Sequence, residues 1–89
     1  MRSIRRDTQF KSDVKRLKKR NKDFEKLKTI IRLLVAGEKL PSETRDHRLK
    51  GTLKDSRECH IEPDWLLIYR IEGSELGLVR TGSHADLFE

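Results

Sequence analysis

The sequence predicts an α+β fold in which a two-helix hairpin packs on one face of an antiparallel sheet. Apolar residues recur at helical spacing up to residue 35 and in short strand-like runs after residue 56. Glycine, proline and asparagine separate these segments, and such residues favour turns. A chain of 89 residues matches one small core. We therefore expect a single domain covering 1–89 with the element order β-α-α-β-β-β.

The N-terminal half predicts a short strand and two antiparallel helices. The strand covers 3–6, and the first helix covers 9–20 with a narrow apolar stripe and a basic outer face. The second helix carries a wider stripe and ends at Gly37, because glycine favours the left-handed conformation that closes many helices. The stripe residues are Phe10, Val14 and Leu17 in the first helix, and Phe24, Leu27, Ile30, Ile31, Leu34 and Val35 in the second.

The C-terminal half predicts a three-stranded meander after a polar loop at 42–55. The strands cover 57–61, 65–71 and 75–81, and their connections are too short for parallel crossovers, so neighbouring strands are antiparallel. The middle strand begins with apolar or aromatic residues on both faces, which is typical of a central strand. We expect the helices on one face, function on the opposite face, and a short apolar tail at 87–88.

The charge distribution indicates an anionic partner without identifying it. The net charge is +6, and residues 1–32 hold 13 of the 21 basic residues but only 4 of the 15 acidic residues. Such a segment can contact phosphates or an acidic protein. Cys59 is the only cysteine, which excludes an internal disulfide and a cysteine-based zinc site. Without a signal-like or membrane-spanning apolar run, we expect a cytoplasmic protein with no membrane contact and no cofactor.

Three histidines and one aspartate form the candidate catalytic group: His47, His60, Asp64 and His84. His60 and Asp64 flank a predicted hairpin turn, and a meander can return His84 beside them, so a cluster is geometrically allowed. Metal-free RNA cleavage needs a base for the 2′-hydroxyl and an acid for the 5′-oxygen, and imidazole can serve as either near neutral pH. A metal site formed by the same residues is an alternative, although no helical His-x-x-x-His spacing favours it.

Cationic and aromatic side chains near this group are the candidate substrate contacts. Cations stabilise charge on phosphoryl oxygens, and aromatic rings stack on unpaired bases. Trp65 can equally be a core residue, Phe88 a plug that fixes the tail, and Asp64 an ordinary turn residue. The candidates are Arg48, Lys50, Lys54, Arg57 and Arg80 for phosphate, and Trp65 and Phe88 for bases.

Most of these residues lie in three segments, which are 45–51 (RDHRLKG), 57–69 (RECHIEPDWLLIY) and 80–88 (RTGSHADLF). Together they resemble the RelE/ParE superfamily of bacterial toxins, and more closely its YafQ-like branch of messenger-RNA endonucleases. The similarity extends over nearly the whole chain. The part from His60 to Tyr69, together with the segment around His84, is the most specific.

The resemblance implies a ribosome-dependent ribonuclease that cuts messenger RNA in the decoding site and is neutralised by a cognate antitoxin. The implied partners are the ribosome with its ribosomal RNA, the messenger RNA and the antitoxin. The family's active-site positions fall on His47, His60, Asp64 and His84, and its aromatic contacts fall on Trp65 and Phe88. The assignment gives the proton transfers to His84 and Asp64, and the positioning and neutralisation of the phosphate to His60 and His47. It leaves open which residue is the acid and which is the base.

One departure and two other functions stand beside this interpretation. Where the family often has Gly-Tyr, this chain has Asp55-Ser56, which brings an acidic residue near the proposed phosphate contacts. A ParE-like inhibitor of DNA gyrase would share the fold and cleave nothing, and it needs no histidine–aspartate cluster. A basic RNA-binding module would bind RNA in a salt-dependent way without cleaving it.

Overall fold

Five strands form one mixed sheet, against which the two long helices pack. The computed structural model describes residues 1–50 and 55–88. Its elements in chain order are β1 (Ser3–Arg6), α1 (Thr8–Lys19), α2 (Phe24–Ala36), a 3₁₀ turn (Ser42–Thr44), β2 (His47–Arg48), β3 (Arg57–Glu62), β4 (Trp65–Glu72), β5 (Glu75–Gly82) and α3 (His84–Phe88). The strand order across the sheet is β1-β5-β4-β3-β2. Among the described residues, no helix is long and apolar enough to cross a bilayer.

Local signals in the sequence set the ends of α2. The carboxylate of Asp23 accepts a hydrogen bond from the backbone N–H of Glu25 at 3.1 Å, which satisfies one of the free donors at the helix start. Gly37 closes the helix with a φ of 74°, a left-handed conformation that costs glycine little. The predicted end of this helix at Gly37 is confirmed.

The predicted apolar stripes and the central strand form the core. The residues Trp65 to Tyr69 of β4 are each at most 1% exposed, which confirms a strand that is buried on both faces. Val14, Phe24, Ile31 and Val35 are partly buried against the same cluster. Its buried members are Phe10, Leu17, Leu27, Ile30, Leu34, Leu40, Cys59, Trp65, Leu67, Tyr69, Leu76 and Leu78.

The predicted meander is confirmed, and each of its outer strands gains a further neighbour. β3, β4 and β5 pair antiparallel in sequence order. β1 pairs parallel with β5, placing Ile4 beside Leu76. A parallel pair needs a long connection, and the helical hairpin with the rest of the chain supplies it.

Two segments differ from the sequence prediction. The predicted loop at 42–55 contains the 3₁₀ turn and β2, whose residues pair His47 with Glu58 and Arg48 with Arg57. A strand of two residues is too short to show an alternating pattern. The predicted tail at 87–88 is the last turn of α3, and tertiary contacts stabilise this five-residue helix, because an isolated helix so short is marginal in water.

Candidate active site

Strand register brings three of the four candidate catalytic residues to one end of the sheet. Leu66 of β4 lies between His60 on β3 and Gly82 on β5. Asp64 precedes Leu66 by two residues, and His84 follows Gly82 by two residues. The two chain segments therefore meet beyond the strand ends, beside His60.

Asp64 holds His84 through two hydrogen bonds to one carboxylate oxygen. The Nδ1 atom of His84 lies 2.6 Å from Oδ1 of Asp64, and the backbone N–H of His84 donates to the same oxygen at 2.9 Å. The hydrogen bond from the backbone N–H, followed by the one from the ring, lowers the pKa of Asp64. The carboxylate is thus the acceptor and Nδ1 the donor, so Nε2 of His84 is the nitrogen left for other chemistry.

His60 forms the second half of an imidazole pair. Its ring centroid lies 5.9 Å from that of His84, with the planes inclined by 45°. Its Nδ1 lies 3.3 Å from the carbonyl oxygen of Thr44, which can only accept, so Nδ1 carries the proton. Neither Nε2 atom has a hydrogen-bond partner within residues 1–50 and 55–88. The Nε2 atoms of His60 and His84 are therefore both free to exchange a proton, on rings whose centroids lie 5.9 Å apart.

His47 lies further along the same face of the sheet. It pairs across β2 and β3 with Glu58, two residues before His60, and residues two apart on a strand share a face about 7 Å apart. The Nδ1 of His47 lies 2.7 Å from the carbonyl oxygen of Arg45, and its Nε2 lies 3.1 Å from a carboxylate oxygen of Glu58. Both oxygens are acceptors, so only the imidazolium form satisfies both nitrogens.

The two candidate aromatic contacts have opposite environments. Phe88 is 49% exposed, and its ring centroid lies 6.5 Å from that of His84, so its face is available to a base. Trp65 is fully buried; its Nε1 donates to Thr81 Oγ1 at 2.9 Å, and its ring contacts Phe24 edge-on. The prediction that Trp65 stacks on a base does not fit this structure, because the ring has no free face.

The candidate cations divide into paired and exposed groups. Arg57 donates from two nitrogens to Asp46, both at 3.2 Å. Arg80 donates to Asp13 at 2.7 and 3.1 Å. Arg48 and Lys50 are exposed and form no ion pair with any other residue of the described segments. Lys54 lies outside the described residues. The exposed pair is thus the better placed for phosphate contacts.

Arg48 and Arg57 share a small cavity with the acidic residue that departs from the family pattern. The cavity has a volume of about 290 Å³ and is lined by these arginines, Asp55 and Ile71. Asp55 therefore lies close to two predicted phosphate contacts, as the sequence indicates. A carboxylate there opposes the positive charge that the two guanidinium groups supply.

Asp13 anchors the end of β5, and the sequence analysis did not single it out. Its buried carboxylate accepts hydrogen bonds from the backbone N–H of Thr81 at 3.1 Å, from Arg16 at 2.8 Å and from Arg80. Thr81 in turn accepts from Trp65, the neighbour of Asp64. A signal was present, since Asp13 lies between Phe10 and Val14 on the apolar stripe of α1, where a charged residue is seldom buried unless it is paired.

A second carboxylate fixes the start of α3 and hence His84. Asp86 accepts from the backbone N–H of Ser83 at 2.9 Å, and its own N–H donates to the Ser83 hydroxyl at 3.1 Å. Arg20 donates to Asp86 from two nitrogens at 2.7 and 3.0 Å, which is the main reason that the pKa of Asp86 is lowered. This reciprocal pairing is a capping box, and the spacing Ser-x-x-Asp could have indicated it.

Comparison with known proteins identifies the family. Residues 2–89 match the family model described as the bacterial toxin of type II toxin-antitoxin system, YafQ. The chain belongs to the YafQ family of toxins. It is 44% identical over 88 residues to the mRNA interferase toxin YafQ of Escherichia coli strain K12, covering 98% of this chain and 96% of that protein.

Solved structures share the fold of this YafQ-family chain. YafQ in the Escherichia coli DinJ-YafQ complex matches it with a TM-score of 0.93 and 43% identity over 100% of both chains. A copper-bound mutant toxin from Helicobacter pylori matches with a TM-score of 0.94 and 39% identity, over 99% of this chain and 100% of that one. The family and fold class predicted from the sequence are confirmed.

A metal site formed by the three histidines and Asp64 would require these side chains to converge on one point. Within residues 1–50 and 55–88, no group of three or more His, Cys, Asp or Glu side chains is placed to hold one ion. Asp64 and His84 are in contact, whereas His47 is paired with Glu58. Metal-free chemistry stays a prediction that a chelator experiment can test.

Proposed function

We propose that this YafQ-family toxin is an endoribonuclease that cleaves messenger RNA on the ribosome, with the 2′-hydroxyl as nucleophile and no metal ion. The observation that carries the proposal is the imidazole pair, in which His84 is held by Asp64 and lies 5.9 Å from His60. The name of the Escherichia coli relative, an mRNA interferase, supports the same activity.

The reaction needs two proton transfers on opposite sides of one phosphorus atom. A base takes the proton of the 2′-hydroxyl as its oxygen attacks phosphorus, and the bond to the 5′-oxygen breaks. An acid gives that oxygen a proton, which leaves a 2′,3′-cyclic phosphate and a 5′-hydroxyl. A neutral imidazole suits the first role and an imidazolium the second, so the Nε2 atoms of His60 and His84 meet the requirement for either.

In this mechanism Asp64 positions His84 rather than moving a proton. A carboxylate with a lowered pKa is a weaker base, and its proton affinity is poorly matched to neutral pH. Its hydrogen bonds hold His84 as the tautomer with Nδ1 protonated and stabilise the imidazolium once it forms. We therefore give the two proton transfers to His60 and His84, in place of His84 and Asp64.

The remaining candidates bind the RNA. We assign His47, held by Glu58, to positioning the phosphate, and the exposed Arg48 and Lys50 supply positive charge for its phosphoryl oxygens. Phe88, one helical turn after His84 on α3, offers a ring for base stacking.

The proposed partners follow from the family and from charge. The Escherichia coli YafQ structure is a complex with DinJ, and we infer a cognate antitoxin for this chain. The excess of basic residues in 1–32 supports contact with ribosomal RNA or with an acidic antitoxin segment. Since both proposed partners act in the cytoplasm, we propose the same location for this protein.

The test is cleavage of a translated message, mapped by primer extension. Replacing His84 or His60 with alanine is expected to reduce the cleavage rate by about 10²-fold or more while the thermal unfolding midpoint stays unchanged. A chelator is expected to leave the wild-type rate unaltered. Full growth arrest by His84→Ala would contradict the catalytic assignment of His84. Inhibition of DNA gyrase by the wild type, without RNA cleavage, would show that the protein is a gyrase inhibitor instead.

A further inference from the structure

The ring of His47 is half exposed and lies on a strand of only two residues. That strand, β2, pairs with Glu58 and Arg57 of β3. So short a pairing at the edge of a sheet supplies few backbone hydrogen bonds and is a weak restraint by itself. The position of His47 must therefore also depend on contacts made by the residues next to β2.

Asp46, which directly precedes His47, is bound by two neighbouring strands. Its carboxylate accepts a hydrogen bond from the hydroxyl of Tyr69 on β4. It also accepts two hydrogen bonds from Arg57 on β3, both at 3.2 Å. Tyr69 is 1% exposed, and burial, followed by the hydrogen bond to Asp46, raises the pKa of its phenol. The hydroxyl therefore stays protonated at neutral pH and remains a donor to Asp46.

The residue before Asp46 carries backbone strain next to the same ring. Arg45 has a φ of 51°, a left-handed conformation that is costly for a residue with a side chain and persists only where its surroundings enforce it. The carbonyl oxygen of this residue lies 2.7 Å from Nδ1 of His47. The hydrogen bonds of Asp46 restrain the next peptide, so they supply part of that enforcement.

We propose that Asp46 is a positioning residue, held by Tyr69 and Arg57, that sets the place of the His47 ring beside the cleaved phosphate. The proposal rests on the proposed RNA cleavage, in which His47 positions that phosphate. Asp46 acts without touching the RNA, because its carboxylate is bound to Tyr69 and Arg57. His47 lies on the face of His60, since successive residues of an extended chain point to opposite sides. Arg57, a predicted phosphate contact, serves here as the partner of Asp46.

A network that only stabilised the fold would have a different consequence. Removing a purely stabilising hydrogen bond lowers the unfolding midpoint and acts equally whether or not His47 is present. Removing one that positions His47 slows cleavage only while His47 is there to be positioned. A double-mutant cycle separates the two roles, because residues that act through each other have non-additive effects.

The first test combines Tyr69→Phe with His47→Ala and measures cleavage of ribosome-bound messages by primer extension. Tyr69→Phe keeps the buried ring and removes only the hydroxyl. It should slow cleavage about tenfold, since a displacement of about 1 Å near the chemistry can cost roughly 10²-fold. In the His47→Ala background the same change should have no further effect. Leu76→Val, in the core beside Ile4 of β1, is the control: it should lower the unfolding midpoint and cleave at the wild-type rate.

Equal slowing by Tyr69→Phe in both backgrounds would assign the network to stability alone and overturn the proposal, while RNA cleavage would stand. A wild-type rate in Tyr69→Phe would overturn it too. If His47→Ala cleaves at the wild-type rate, His47 does not position the phosphate, and the role of Asp46 fails with it. Failure of the wild type to cleave any message would overturn the proposed function as well. Where cleavage by His47→Ala is too slow to measure, the second test decides.

The second test uses the protein without RNA. Proton NMR follows the ring signals of the three histidines, assigned from variants that lack one histidine each. Tyr69→Phe should shift the signals of His47 and leave those of His60 and His84 in place. Asp46→Asn should do the same, because one amide oxygen cannot accept all the hydrogen bonds of the carboxylate. Unchanged His47 signals in both variants would show that this network does not hold the ring, and the proposal would be wrong whatever the cleavage rates.

Discussion

Two aspartates bind the same strand end of this protein in similar ways but in opposite surroundings. Asp13 accepts from the backbone N–H of Thr81 and from Arg80, and Asp64 accepts from the backbone N–H and the ring of His84. The side chain of Asp13 is 1% exposed, whereas that of Asp64 is 69% exposed. The difference teaches that burial, more than hydrogen-bond geometry, decides whether such a carboxylate serves stability or chemistry.

The physical reason is the cost of leaving a partner without its bond. The buried carboxylate of Asp13 has lost its water and depends on its protein donors, so removing one of these donors leaves it partly uncompensated. An exposed carboxylate can be replaced by water at little cost in folding free energy. What an exposed group can still control is the tautomer and direction of the ring that it holds, which matters only to chemistry.

The largest expected effect is on stability at the buried site. Asp13→Asn should lower the free energy of unfolding by about 3 kcal/mol, because one amide oxygen cannot accept from the backbone of Thr81, from Arg16 and from Arg80 at once. Asp64→Asn should leave it nearly unchanged, because the side chain is exposed. Urea unfolding of both variants measures the difference, and similar losses at the two sites would remove the distinction.

The second effect is on activity at the exposed site. Asp64→Asn should reduce message cleavage by about 10²-fold, because an amide cannot stabilise the His84 imidazolium. Glu72→Gln, which changes an exposed carboxylate at the far end of β4, is the matched control and should cleave normally. Wild-type cleavage by Asp64→Asn would remove the positioning role of this aspartate.

The link between the two sites can be tested at Gly82. A Cβ atom there would lie 2.9 Å from Cβ of Asp86, whereas at Gly77 it would meet only the guanidinium of Arg5, which is bound to Asp7 and Glu75. Gly82→Ala should cost about 1–3 kcal/mol and slow cleavage, because α3 carries His84. Gly77→Ala displaces Arg5 and so also costs stability, but it should leave cleavage unchanged, because Gly77 lies five residues before Gly82 on β5. Stability and cleavage are measured on both variants, and equal behaviour would show that α3 is not held at this point.

A smaller effect concerns pH. The pKa of Asp86 is lowered in the folded protein, chiefly by Arg20, so its contribution is present above the ordinary carboxyl pKa and is lost as pH falls below it. Asp86→Asn should therefore be less stable than the wild type by about 1 kcal/mol at pH 7, and the gap should close on acidification. Unfolding midpoints from pH 7 down to pH 2 measure it; the gap should be constant above about pH 4 and narrow below it, and a gap that stays constant below pH 4 would assign the loss to something other than charge.

The last prediction is that the buried thiol of Cys59 does not react with an alkylating reagent while the protein is folded. Burial raises the pKa of the Cys59 thiol to about 12, so almost no thiolate exists at neutral pH. Iodoacetamide should leave the folded protein unmodified and label it in denaturant, as mass spectrometry can show. Rapid labelling of the native protein would indicate that this part of the sheet opens.

Much of the site was predictable because its residues leave distinctive patterns. The chain has few histidines, and the hairpin at Pro63 predicts that His60 and Asp64 lie on the same side of the sheet end. In the structure His84 lies between them, hydrogen-bonded to Asp64 and 5.9 Å from the ring of His60. Trp65 was not predictable in the same way. Its pattern of neighbours fitted both a buried strand and a substrate contact, and only the hydrogen bond to Thr81 and its complete burial separate the two.

The sequence by itself determined the helices, the three meander strands and the candidate residues, since apolar period and turn residues act over short distances. Tertiary structure alone decided which groups are paired. In the folded protein Arg80 pairs with Asp13 and Arg57 pairs with Asp46, whereas Arg48 stays exposed. β1 pairs with β5, which is far from it in the sequence. Such pairings depend on packing between distant segments, where each basic residue has several acidic residues within reach, so local pattern cannot choose among them.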